Sequence, residues 1–307
     1  NSNRSSPMKR SLVLLSLATL GIAACDNGTV EPLMDTLDLS FTGLDPLTNG
    51  FHYEGWAIID GAPISTGKFN VDGSGGLTTV AGAPIPGGRF VTGTDLMNTT
   101  TIVLTIEPSG DTDTTPADTH VLAGSISAGS APLTADHGAA LGADFTTATG
   151  DYILATPTDG AMNNENSGIW FLSLASGAPA VGLDLPTLPA GWAYEGWVVI
   201  DGQPVTTGRF TAVDMVDDAA PFSSTMGGPP FPGEDFLVNA PAGLTFPTDI
   251  AGGTAVISIE PHPDDSDAPY TFKPLMGGID AAAMDHVTYM LPNMTTATFP
   301  TGTATIR

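Results

Sequence analysis

The seventeen residues YEGWAIIDGAPISTGKF (53–69) return 141 positions later as YEGWVVIDGQPVTTGRF (194–210). A chain that carries so nearly the same segment twice must build the same local structure twice, and the segment itself reads as a hairpin. β-branched and aromatic residues run up to Asp60-Gly61 and Asp201-Gly202, a pair suited to a tight turn in which both central residues take positive φ. Pro63 and Pro204 follow, so each returning strand is expected at a sheet edge or to start late.

The correspondence extends beyond the hairpin. GAPIPGGRF (82–90) answers GPPFPGEDF (228–236), TIVLTIEP (101–108) answers TAVISIEP (254–261), and TTAT recurs at 146–149 and 295–298. The offset drifts only between 141 and 153, which describes a whole-domain duplication and is far too long a period for a solenoid. Strands are expected at 37–41, 101–108, 119–126, 151–155 and 168–174, with short helix-like stretches only near 130–143 and 279–290. Thirty-seven glycines and 26 prolines cut the apolar sequence into short runs. The expected fold is therefore all-β: two tandem β-sandwich (Ig-like) domains. The expected boundaries are repeat 1 over 36–157, a linker over 158–167 and repeat 2 over 168–307.

Ahead of the repeats, Lys9 and Arg10 precede an apolar run that ends in Ile22-Ala23-Ala24-Cys25. Residues 8–24 have the charge, length and small-residue pattern of an export signal and are too short for a permanent membrane span. The residues before Cys25, the chain's single cysteine, resemble a bacterial lipobox. That implies cleavage before Cys25, lipid on its sulfur, a tether over 25–35 and a protein held at the periplasmic face or the cell surface. From Cys25 onward five basic residues face all 33 acidic ones. The resulting net charge of −28 repels nucleic acid and anionic lipid. Twenty-six of the acids are Asp, a residue that favours turns and loops over regular elements. A lone cysteine also excludes an internal disulfide.

Tyr-x-Gly-Trp, Asp-Gly-x-Pro, Gly-Lys/Arg-Phe and a strand ending in Glu-Pro together resemble the extracytoplasmic C-terminal domain of the anti-sigma-K factor family. The residues that carry the resemblance are Tyr53, Gly55, Trp56, Gly61, Pro63, Gly67, Glu107, Pro108 and, in a following Leu-x-Gly, Gly124, and again Tyr194, Gly196, Trp197, Gly202, Pro204, Gly208, Glu260, Pro261 and Gly277. It implies a β-sandwich with a sensing or interaction role. Sigma-regulating members place a sigma-binding region and a membrane helix ahead of this domain. This chain carries a lipoprotein signal there, so no sigma-binding role is expected.

Tyr53, Trp56, Tyr194 and Trp197 are the candidate interaction surface. Residues three apart on a regular strand point to opposite faces, so one of each pair is expected in the core and the other available to solvent or to the neighbouring domain. Glu54, Glu107, Glu195 and Glu260 recur at matching positions. A glycosidase needs two carboxylates across one cleft, but the duplication would demand two such clefts, and strand-end structural carboxylates are the expectation. Asp136-His137 and Asp285-His286 recur but supply too few ligands for a transition metal, and His52 faces Ala193 in the alignment. The acidic loops 110–118 and 262–267 have the oxygen ligands calcium uses but no calcium-loop spacing. No cofactor motif is present. The expected protein is a non-enzymatic, lipid-anchored envelope protein that serves in protein interaction, envelope sensing or structural support. The alternative is a calcium- or glycan-binding surface lipoprotein.

Overall fold

The computed structural model describes residues 34–160, 162–262 and 266–307. The signal over 8–24, Cys25 and most of the tether lie outside the described residues. What is described is almost entirely antiparallel strand, and the one α-helix in it is the four residues Thr295–Thr298. The all-β expectation holds. Among the described residues no helix is long and apolar enough to cross a membrane.

The opening string forms the predicted hairpin in both copies. His52–Ile59 pairs with Ala62–Val71, and Trp192–Ile200 with Gln203–Phe210. Asp60 and Gly61 take φ of 51° and 80°, and Asp201 and Gly202 take 51° and 82°, as the turn requires. The register slips at the same place in each copy, between Gly55 and Trp56 and between Gly196 and Trp197. Opposite the slip, Gly67 and Gly208 have φ of 133° and 110°, where a side chain would be strained. Each hairpin is extended by the strand ending in Glu-Pro, Thr99–Glu107 or Thr254–Pro261, and then by His120–Ser125 or Leu275–Gly278. The returning strands are edges along their proline halves. Only Asn70 and Val71 of the first meet a further strand, Leu77–Thr78.

The second sheet of each repeat carries the main departure from the sequence reading. Thr36–Thr42 pairs on one side with Arg89–Val91 and on the other with Thr301–Ile306, which in turn pairs with Ser130–Leu133. The last strand of the second repeat thus lies in the middle of a sheet of the first. Reciprocally, Thr149–Leu154, the last strand of the first repeat, pairs with Gly168–Trp170 and Tyr289–Leu291 of the second. The repeats have exchanged their final strands. The boundary drawn at 158–167 is therefore corrected: strand pairing runs across it, and the spatial halves are 36–133 with 301–306, and 149–291. The core agrees, since one continuous apolar cluster includes Leu37, Tyr53, Leu104, Leu154, Tyr194, Ile257 and Ile306.

The helix-like stretches are corrected as well. Residues 130–133 form a strand, and turns broken by Gly138 and Gly142 follow. In 279–290 the backbone passes through a left-handed residue at His286 (φ 55°) before entering the strand Tyr289–Leu291. Alanine favours helix, but propensity is a weak bias that tertiary strand pairing overrides.

Candidate functional site

The aromatic pairs point to opposite faces as expected, but both faces are covered. Tyr53, Trp56, Tyr194 and Trp197 are 0–2% exposed, which corrects their expected role as an interaction surface. Tyr53 stacks on Phe69 across the hairpin, and Tyr194 stacks on Phe210 in the same way. Each phenol donates to a carbonyl eight residues upstream, that of Asp45 at 2.9 Å and of Pro186 at 2.6 Å. Burial raises the pKa of both phenols.

The tryptophans face the other side of the sheet, where each begins a polar chain. Trp56 Nε1 donates to Thr105 Oγ1 at 2.9 Å, Thr105 donates to Glu107, and Glu107 accepts the backbone N–H of Ala117 at 3.0 Å. In the second repeat Trp197 Nε1 donates to Ser258 Oγ at 2.8 Å, Ser258 donates to Glu260, and Glu260 accepts from Tyr270 N at 2.9 Å. Ala117 and Tyr270 stand at equivalent positions of the loops that follow Glu-Pro. The repeated glutamates Glu107 and Glu260 thus stand at strand ends and are buried tie-points that fasten each acidic loop to its sheet. Burial raises the pKa of Glu107, and the Thr105 and Ala117 hydrogen bonds only partly offset this.

The other repeated pair, Glu54 and Glu195, is also buried. Glu54 accepts from Ser65, and Glu195 accepts from Thr206 at 2.5 Å. Here the copies diverge. Two residues before Glu54, on the same face of the same strand, stands His52, 4% exposed; the second repeat has Ala193. Across the hairpin from Glu54 lies Lys68. Its Nζ is 2.7 Å from Asp111 Oδ2 and 3.4 Å from Glu54 Oε2, and it donates to the Asp111 carbonyl at 2.8 Å. One donor atom from each of His52, Glu54 and Asp111 can be chosen so that all three lie within 4.8 Å of one another.

The electrostatics of this cluster follow from its composition. The hydrogen bond from Lys68 holds the Asp111 carboxyl below the ordinary aspartate range, against a smaller opposing effect of burial. Burial disfavours the Lys68 ammonium, but the hydrogen bond to Asp111 and the charges of Glu54 and Asp111 outweigh it and raise its pKa. Within this cluster the buried His52 Nε2 has no hydrogen-bond partner, and an orphaned buried polar atom calls for an explanation; Glu54 Oε2 faces the Lys68 ammonium at 3.4 Å.

Of the other residues singled out in the sequence, Asp136 is exposed and His137 half-buried, while Asp285 and His286 are both exposed. His286 meets only its neighbour Asp285, at 2.9 Å between Nδ1 and Oδ1, as far as its ion pairs go. The acidic loops do not act alike: Asp111 of the first turns inward onto Lys68, and residues 263–265 of the second lie outside the described residues. The cluster of His52, Glu54, Lys68 and Asp111 escaped the sequence reading. No local spacing links residue 111 to residue 52, and the only trace was the unequal pair His52 and Ala193.

A second buried acidic group occurs in repeat 2 alone. Glu234 and Asp235 are 0% exposed. Glu234 accepts from Ser223 and from the N–H groups of Phe222 and Asp235. Asp235 accepts from Trp170 Nε1 at 2.8 Å and from Thr158. Nearby, Asp217 accepts from Gly233 N at 2.9 Å. Burial, aided by neighbouring carboxylates, pushes Asp217 and Glu234 each up to about 7.

Comparisons with protein-family models, with curated proteins and with solved structures give no match for this chain.

Proposed function

We propose that this chain is a non-catalytic, lipid-anchored protein of the bacterial cell envelope, whose all-β body serves protein interaction or envelope sensing. The observation that carries the reading is the run from Lys9 to Cys25, with small residues directly before the chain's single cysteine. An acidic, lysine-poor exported body fits a partner met at a membrane surface that it does not itself bind by charge. The resemblance to the extracytoplasmic anti-sigma-K domain supports sensing or interaction as the role of the duplicated module.

The repeated carboxylates support a structural role. A general acid or base must reach a substrate atom, whereas Glu107 and Glu260 are buried and each accepts from a hydroxyl and a loop N–H. The glycan-binding alternative loses its aromatic platform, because all four candidate aromatics are buried.

Replacing Cys25 by Ser and fractionating the cells tests the anchoring. The variant should leave the membrane fraction and lose incorporation of a radiolabelled fatty acid. A variant that stays membrane-bound without lipid would refute it.

A further inference from the structure

We propose that His52, Glu54 and Asp111 form a site for one divalent metal ion of the zinc or manganese class, built into the first repeat and missing from the second.

The argument begins with the imidazole. His52 Nδ1 lies 3.3 Å from the Gly50 carbonyl. A proton on Nδ1 donated to that oxygen leaves the lone pair on Nε2, the atom that is buried and has no hydrogen-bond partner. A backbone carbonyl on one ring nitrogen is the arrangement that orients a metal-binding histidine and makes its other nitrogen a better ligand. Glu54 Oε2 is likewise buried, and its neighbour is the Lys68 ammonium at 3.4 Å. Ligand atoms of these two residues and of Asp111 lie within 4.8 Å of one another. Two carboxylates and an imidazole within that distance of one another suit a shared cation.

Lys68 is the counter-ion already near that space. Its ammonium meets Asp111 at 2.7 Å and Glu54 at 3.4 Å, and its side chain is 30% exposed. A lysine head on a flexible stem can swing out to water, so the tethered ammonium and the metal ion compete for the same two carboxylates. One imidazole with two carboxylates favours zinc or manganese over calcium, which takes six to eight oxygens. Three protein ligands leave a coordination position for water or for a group from a partner.

The second repeat supplies the internal control. Glu195 keeps the place of Glu54, but Ala193 replaces His52 and Arg209 replaces Lys68. The fold accepts alanine at this strand position, so His52→Ala is a substitution the molecule has already made once.

Calorimetric titration of the purified protein with zinc, manganese and calcium chlorides decides the matter, with circular dichroism to verify folding of each variant. Zinc or manganese should bind at one site per chain. His52→Ala should weaken that binding roughly hundredfold or more, beyond the range seen for supporting residues alone. Lys68→Met, which removes the competing ammonium, should tighten it about tenfold, equivalent to about 1.4 kcal/mol. X-ray absorption on the zinc form should show one imidazole among oxygen ligands at about 2.0–2.2 Å. Absence of a saturable zinc or manganese site, or a folded His52→Ala variant that binds as the wild type does, overturns the proposal. Binding of calcium alone, insensitive to His52→Ala, overturns it too and moves the cation to the exposed acidic loops. A Lys68→Met variant that binds no tighter refutes the competition.

Discussion

Replacing Ile306 by Ala should loosen the first repeat, although residue 306 belongs by sequence to the second. Ile306 is 6% exposed, packs in the main core and lies opposite Leu37. Its N–H donates to Gly129 at 2.8 Å. The substitution removes three buried carbons, worth about 2.4 kcal/mol at roughly 0.8 kcal/mol each. The cavity left behind takes isoleucine-to-alanine changes into the range of about 2–5 kcal/mol. Since one side of the site is a strand end that can relax, about 3 kcal/mol is expected. Native-state hydrogen exchange followed by mass spectrometry locates the loss. Protection should fall first in 36–42 and 130–133, the segments that flank Thr301–Ile306. The mirror substitution, Leu154→Ala at a 0% exposed residue, should instead deprotect 168–170 and 289–291. If Ile306→Ala deprotected only 192–210 and 254–278 and spared 36–42, the strand exchange would be refuted.

Thr105→Val and Ser258→Ala each remove the hydroxyl that joins a buried tryptophan to a buried glutamate. Each should cost about 1.5–3 kcal/mol in urea denaturation, and near-zero costs would show that the chains are incidental. The protein should gain thermal stability as pH falls from about 8 to about 5. Asp217 and Glu234 are raised from 3.8 and 4.5 to about 7 on folding, so the folded chain holds protons that the unfolded chain releases in this window. Their stabilising contribution is complete below the unfolded values and is lost as pH rises through about 7. Glu234→Gln should flatten the dependence, and a melting temperature that climbs with pH across the window would contradict the assignment.

The hairpins, the Glu-Pro strands and the all-β class were legible because they rest on local chemistry: Asp-Gly at positive φ, β-branched runs and prolines that end strands. The strand exchange was not legible, for a reason inherent in the duplication. Thr301–Ile306 satisfies the same alternation beside Thr36–Thr42 as it would beside Gly168–Trp170, so a repeated pattern cannot say which copy a strand joins. The fate of Trp56 was half legible. Spacing gave its opposition to Tyr53, but the outer face is buried by segments distant in sequence, with Ala123 and Ala140 packed against the indole. The His52 cluster shares that cause, since Asp111 reaches it from a distant loop that Glu107 holds through Ala117.

The exchange of final strands also closes the chain into something near a ring. Residues 155–167 carry the backbone from Thr149–Leu154 to Gly168–Trp170. At the equivalent place in the other half, Thr36 and Arg307 exchange two hydrogen bonds, N to O at 3.2 and 2.8 Å, with no covalent link. A short peptide across that gap, with a break opened in 158–167, would give a circular permutant with all its strand pairs retained. The same adjacency means that tension applied between Thr36 and Arg307 would unzip one strand pair bond by bond, so this seam is also the mechanical fuse of the body.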